Sequence, residues 1–364
     1  MIADSLVRWN KSSINPPRFN VLDRCLNADC LLRATTRSAG CRFPIPICEH
    51  HRNFRQPGDG KIRPPSAGSP AWKLDLRYDL HCHSTVSDGT LTPTEVVERA
   101  ALRGVDVLSL TDHDEISGLA EARSAAGKVG IAFVNGVELS VSWQDLTLHI
   151  VGLDIDPDSP ALVEGMRQIR SGRIGRARQM SNGLAAVGIG GAFEGAMRYA
   201  ANEQLLSRTH FARFLVERGH VKDVREVFKR YLTPGRPGYV EHIWASLADA
   251  VGWIHGAGGQ AVLAHPGRYK TNRVGMRKIL DEFKTLGGDA IEVLTSSHTS
   301  AQYDEYTSYA LRYGFRASCG SDYHGPGESW MDFGELPPLP PALTPVWRDW
   351  PHEAAARAGE ASSR

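Results

Sequence analysis

Six stretches of this chain run apolar and then stop at a histidine or a carboxylate. They are YDLHCHSTVSDG with His81, His83 and Asp88, VDVLSLTDHD with His113 between Asp112 and Asp114, IAFVNGVELS with Glu138, LTLHIVGL with His149, AVLAHPG with His265, and FRASCGSDYHG with Asp322 and His324. A seventh apolar stretch, AIEVLTSS, carries Glu292 in its middle. Helical periods lie between the strand-like runs. In LTPTEVVERAALRGV, Thr92 is placed to cap the helix, Pro93 sits at its first turn and Glu95 completes a capping box. Val96, Val97, Ala100 and Ala101 form its apolar stripe and Gly104 its stop. SGLAEARSAAGKVG fills the next gap. The steps from His81 to His113, His113 to Glu138 and Glu292 to Asp322 are 32, 25 and 30 residues, which match a strand–helix repeat of about 30 residues. The pattern predicts a barrel of parallel strands that delivers a ligand from each strand end to one mouth.

One interval breaks the rhythm. The 115 residues between His149 and His265 are too many for one strand–helix step and predict an inserted helical subdomain at about 160–240. Within it, MRQIRSGRIGRARQM places Arg167, Arg170, Arg173, Arg176 and Arg178 at spacings that share helix faces. Such a run reads equally as a solvated helix face and as a phosphate-attracting lid. RYLTPGRPGYV returns as a loop in which Arg236 or Tyr239 is placed to reach a substrate.

Residues 1–72 differ in character. They hold Cys25, Cys30, Cys41 and Cys48, scattered Arg and Pro, and no sustained period. The spacing of those cysteines with His50 and His51 departs from a compact zinc-binding pair. The segment is expected to be a disordered extension that ends in the linker QPGDGKIRPPSAGSP. The barrel is expected over 73–340, and a mobile tail over 341–364. The opening MIADSLVRWN lacks the apolar core of a secretory signal.

Histidine and carboxylate together suit Mn, Zn or Fe rather than Ca. Each motif alone has a plain explanation, such as a strand end, a helix cap or a polar turn. Together they account for six of the chain's 14 histidines. One transition metal takes about four to six ligands, so nine ligands imply two or three ions. Clustered ions suit phosphoester hydrolysis, because they clamp the attacking and leaving oxygens and lower the pKa of bound water. No serine or cysteine nucleophile is then required, and the attacking group is a hydroxide held through the ligand set. No phosphate loop of the G-x-x-x-x-G-K-[ST] type is present, which argues against ATP hydrolysis.

In these motifs the chain resembles the PHP (polymerase and histidinol phosphatase) family. That family shows an opening H-x-H with S-D-G, then T-D-H-D, G-x-E, A-H-P and G-S-D-x-H, in the order found here over roughly residues 76–340. The resemblance implies a distorted (β/α)7 barrel of the α/β class, with a trinuclear metal site. One ion would be held by His81, His83, Glu138 and Asp322, a second by Glu138, His149 and His265, and a third by Asp88, His113 and His324. Manganese is the expected ion, with zinc, iron(II) or magnesium as alternatives. Within the family, RTHFARFLVERG at 208–219 resembles a segment of the stand-alone bacterial members that remove the 3′-phosphate from nucleoside 3′,5′-bisphosphates. By that resemblance Arg208 and His210 would contact substrate phosphate. The alternatives are a 5′→3′ exonuclease on short RNA or DNA, a histidinol phosphate phosphatase, and a catalytically silent nucleotide-binding module. An amidohydrolase would show a carboxylated lysine between the early and late histidines, and the sequence offers none.

Composition narrows the partners. Apolar residues make up 41% of the chain, enough for a large core, and the net charge of +1 supplies no global basic field for duplex nucleic acid. A small phosphorylated nucleotide or a short oligonucleotide is the expected substrate. No run of 18 apolar residues suggests a membrane span. With Cys82 between two ligands and Cys319 near the last pair, the cysteines favour a reducing cytosol.

Overall fold

The computed structural model of this chain describes residues 76–200 and 202–350. Seven strands form one sheet in chain order: β1 (Tyr78–Asp79), β2 (Val107–Leu110), β3 (Ala132–Trp143), β4 (Leu146–Leu153), β5 (Gln260–Leu263), β6 (Ala290–Thr295) and β7 (Arg316–Gly320). The two ends of the sheet meet. The Leu80 amide donates to the Cys319 carbonyl at 3.0 Å, and further along the seam Asp322 N–H donates to His81 O and His83 N–H to Tyr323 O, both at 2.8 Å. Gly320 permits this closure, since a Cβ there would collide with the Cβ and backbone of His81.

The barrel is not uniformly parallel. β1–β2, β2–β3, β5–β6 and β6–β7 pair parallel, but β4 runs antiparallel to both β3 and β5. The long β3 turns back through Gln144 and Asp145, with Gln144 in the left-handed region at φ 50°, so β3 and β4 form a hairpin rather than a strand–helix–strand unit. Five ligand segments therefore reach the mouth at strand ends or along ascending strands, and His149 reaches it from a descending one.

Helices α1 (Pro93–Leu102), α2 (Leu119–Val129), α3 (Pro160–Ser171), α8 (Leu247–Gly256), α9 (Arg273–Thr285) and α10 (Ser300–Tyr313) lay apolar stripes on the sheet. The capping box of α1 forms as the sequence predicts, with Thr92 accepting from the Glu95 amide and the Glu95 carboxylate accepting from Thr92 N–H. A separate apolar core, which includes Met180, Leu184, Phe211, Phe214, Leu215, Val227 and Leu232, joins α4 (Arg173–Ala185), α5 (Ala192–Met197), α6 (Arg208–Glu217) and α7 (Val224–Val227). Leu162, Met166 and Ile169 of α3 belong instead to the barrel core. The inserted unit with its own core thus starts at α4, later than residue 160.

The expected end of the fold at 340 also moves. Leu343, Val346, Trp347 and Trp350 are buried, and Trp347 stacks on Tyr78 with ring centroids 4.0 Å apart. The Ala317 amide donates to Thr344 O. Apolar burial holds the chain against the barrel as far as Trp350, so 341–350 are packed rather than a mobile tail. The expectations for residues 1–72, including the zinc-binding alternative, and for 351–364 fall outside the described residues.

Candidate metal centre

All nine sequence-selected ligands converge. Glu138 stands at the centre, fully buried on β3. Its Oε1 lies 2.8 Å from His149 Nδ1 and 3.0 Å from His265 Nε2. Its Oε2 lies 2.9 Å from His113 Nδ1 and 3.3 Å from both His81 Nε2 and His83 Nε2. Asp322 Oδ1 sits 3.3 Å from His83 and 3.6 Å from His81. Asp88 Oδ1 sits 3.4 Å from His324 Nε2 and 3.8 Å from His113 Nε2. Four overlapping groups have ligand geometry: His83, Asp88, His113 and His324; His81, Glu138 and His265; His81, His83 and Asp322; and His113, Glu138 and His149.

Buried polar atoms without hydrogen bonds are rare in folded proteins, yet here they gather. Among the described residues they include His81 Nε2, both ring nitrogens of His83, Asp88 Oδ1, His113 Nδ1 and Glu138 Oε2. Lone pairs left unused in a common space are what cations would satisfy, and six imidazoles with three carboxylates suit first-row divalent ions. The residues present therefore fit a metal cluster.

Neighbouring groups fix which nitrogen faces the cluster. His81 Nδ1 donates to Glu292 Oε1 at 2.7 Å, leaving Nε2 inward, and the other Glu292 oxygen accepts the His265 amide. His324 Nδ1 donates to the Asp322 carbonyl, which turns Nε2 towards Asp88. Such partners set ring orientation and tautomer. Burial, with His324 and His113 close by, pulls His83 down to about 3, and burial with Arg268 pulls His265 down to about 3. Both rings are thus neutral and able to ligate. Burial works against ionising Asp322, but Arg268 and His83 hold it well below the usual carboxylate range.

The segment TDHD explains how His113 is held. Asp112 accepts from the Ser84 amide and the Ser84 and Ser87 hydroxyls at 2.5–2.8 Å, tying down the loop that carries Asp88. On the other side Asp114 accepts from the Ser140 amide and hydroxyl at 2.7 and 2.9 Å and pairs with Arg173. Asp114, His265 and Asp322 adopt positive φ values of 52°, 28° and 54°. Left-handed backbone in residues other than glycine is uncommon and gathers at functional sites. Among the described residues three of the five non-glycine cases lie at or beside the candidate ligands, and the other two, Gln144 and Asp154, flank β4.

A cavity of about 120 Å³ opens above Asp88, His113, His149, His265, Asp322 and His324. The insertion roofs it with Arg173, Arg176, Ser207, Arg208, Thr209 and Phe228. The arginine run divides by position. Arg167 pairs with Glu164 in solvent, Arg170 donates to the Asp114 carbonyl at 2.6 Å, and Arg178 stacks over Phe193. Arg176 faces the cavity, and burial with Arg208 and Arg173 nearby lowers it to about 9. Burial likewise lowers Arg208. Neither Arg176 nor Arg208 has an ion-pair partner among the described residues.

The two substrate residues suggested by resemblance separate. Arg208 lines the cavity, whereas His210 does not. His210 is fully buried, and its Nδ1 accepts the Ser207 amide as the third residue of a capping box for α6. Burial lowers it to about 4, which leaves the ring neutral, and its Nε2 is buried without a hydrogen-bond partner among the described residues. Arg236 is exposed and outside the cavity, while Tyr239 sits beside Arg176 and Arg208. Arg268, which sequence reasoning passed over, lines the cavity and pairs with Asp322 Oδ2 at 2.5 Å. Its signal was its place three residues after His265.

The PHP domain family model matches residues 79–296. A Chromobacterium violaceum protein named 3′,5′-nucleoside bisphosphate phosphatase is 56% identical over 271 residues, covering 74% of this chain and 95% of the relative. A Haemophilus influenzae 5′-3′ exoribonuclease is 41% identical over 274 residues, covering 75% and 99%. A solved structure from Chromobacterium violaceum, described as an amidohydrolase with bound sulfate, superposes with a TM-score of 0.74 at 54% identity, covering 77% of this chain and 97% of that one. The chain belongs to the PHP domain family.

Proposed function

We propose that this chain is a metal-dependent phosphohydrolase that removes the 3′-phosphate from nucleoside 3′,5′-bisphosphates. The observation that carries this reading is the pairing of two features in one cavity. A cluster of nine metal-ligating side chains forms the floor, and two arginines without ion-pair partners, Arg176 and Arg208, form the roof. A substrate with two phosphates would match both. The 56% identical relative supports the same substrate class.

Two or three divalent ions, manganese first, would be held by His81, His83, Asp88, His113, Glu138, His149, His265, Asp322 and His324, and would supply Lewis acidity towards a phosphoryl group and water. The chain's own residues do the rest. Glu138 spans the floor with both oxygens, His81 is oriented by Glu292, and Arg268 holds Asp322 from the rim. Arg176 and Arg208 receive the second phosphate, where a guanidinium in a partly buried site binds more strongly than in water. Ser140 and Ser207 line the cavity, but their hydroxyls are engaged with Asp114 and Asp88, so no protein nucleophile is invoked. Free, buried Cys82 and Cys319 support a reducing compartment. Among the described residues no helix is long and apolar enough to cross a membrane.

Arg208→Ala should raise KM for a nucleoside bisphosphate by about 10- to 100-fold, the loss of one charge-assisted hydrogen bond. KM for a simple phosphomonoester should change far less. Steady-state kinetics on both substrates decides the matter, and an equal change in both would contradict a clamp for a second phosphate. The 41% identical exoribonuclease supports a second reading, in which the same floor cleaves short RNA from its 5′ end.

A further inference from the structure

One cation group differs from the others in who holds it. Asp88, His113 and His324 with His83 form a group whose only carboxylate is Asp88. Asp88 lies on the loop after β1, and His324 lies beyond β7. The insertion reaches both through α6. Ser207, the N-cap of α6, donates its hydroxyl to Asp88 Oδ2 at 3.2 Å. One and a half turns later Arg213 donates Nη2–H to the Asp88 carbonyl at 2.6 Å. The same guanidinium grips Glu328 through Nε at 2.8 Å and Nη2 at 2.7 Å. Glu328 belongs to the loop that follows His324, and its backbone amide donates to Gly325 O. One residue pair further out repeats the contact, with Arg225 of α7 over the Trp330 ring at 3.9 Å.

We propose that Arg213 is a positioning residue for this one cation group, so that occupancy of the Asp88 site depends on the seating of the insertion. A bidentate guanidinium–carboxylate pair fixes both distance and plane. Arg213 therefore sets the spacing between the loop that carries Asp88 and the loop that follows His324. The groups built on His81, Glu138, His149 and His265 are held by the barrel and by Glu292, and among the described residues no hydrogen bond or ion pair joins α6 to these four side chains. Removing Arg213 should weaken one ion and spare the rest. The inference rests on the metal-centre reading above and concerns which residues govern one of its ions.

The test counts ions in the full-length protein. Chelator-stripped wild type is titrated with manganese while free ion is followed by electron paramagnetic resonance, alongside Arg213→Met, Arg213→Lys and Glu328→Ala. Wild type should take up three ions. Arg213→Met and Glu328→Ala should keep two with unchanged affinity and bind the third about 10- to 100-fold more weakly, with Arg213→Lys between them and wild type. Thermal melting by circular dichroism identifies any variant that fails to fold, in which case Glu328→Ala decides. Folded variants that bind all three ions as wild type does, or that weaken all of them equally, would overturn the role of Arg213. Wild-type protein that takes up no manganese would instead sink the metal-centre reading itself.

Discussion

Glu138→Gln is expected to remove more than one cation and to lower kcat/KM by about 1,000-fold or more, roughly 4 kcal/mol of barrier. Five imidazoles face this one carboxylate within 3.3 Å, two at Oε1 and three at Oε2. Burial alone would push its proton affinity up, but His113, His149 and His81 hold Glu138 well below the usual range, favouring the carboxylate. Glutamine keeps the shape. It loses the negative charge that the five imidazoles face. Neither neighbouring carboxylate spans the same rings, because Asp322 shares His81 Nε2 and His83 Nε2 with Glu138 but pairs with neither His149 nor His265, and Asp88 meets His113 at its other nitrogen. Metal content by mass spectrometry and steady-state kinetics check this. Full metal content with turnover within tenfold of wild type would contradict a bridging role.

The largest effect on stability is expected from Arg173→Met. Arg173 and Asp114 pair with side-chain exposures of 5% and 0%, and the Arg173 guanidinium also stacks on Trp244 at 4.6 Å. Deleting one partner of a buried pair leaves the other charge uncompensated, at a cost of about 3–5 kcal/mol. For a unit of this size that is a fall in Tm of roughly 10 °C. Asp114→Asn in the Arg173→Met background should recover part of the loss. It removes the orphaned charge, keeps an acceptor for Ser140, and tolerates the left-handed backbone at this position. Arg167→Met serves as the contrast, since Arg167 and Glu164 are 64% and 50% exposed and such pairs contribute about 0–1 kcal/mol. Thermal melts of the four proteins decide between a buried anchor and a surface contact.

The convergence of the candidate ligands was legible because each sits in a short motif within or at the end of a strand, where a few residues of spacing fix the side-chain direction. His81 and His83 share a face by strand alternation, and TDHD places His113 between two carboxylates whose partners, Ser84 and Ser140, lie on the neighbouring segments. The capping box of α1 is equally local. What the sequence hid depends on contacts between distant segments. β4 reads like its parallel neighbours, and its reversal hangs on a two-residue turn at Gln144 and Asp145. α3 has the same apolar stripe as the insertion helices, and nothing within it tells which of two cores it will face. His210 and Arg208 share one turn of α6, yet the capping geometry buries one and the cavity receives the other. Arg268 becomes visible only when the turn after His265 brings it back to Asp322. Trp347 and Trp350 were a readable apolar signal in a segment otherwise rich in proline.

The most direct measurement uses full-length protein purified with added manganese and assays a nucleoside 3′,5′-bisphosphate beside a 5′-phosphorylated short RNA. Release of inorganic phosphate from the bisphosphate, at a kcat/KM well above that for the RNA, is the expected result. Release of mononucleotides from the RNA at comparable or better kcat/KM, with the bisphosphate turned over slowly or not at all, would contradict it and make the chain an exonuclease.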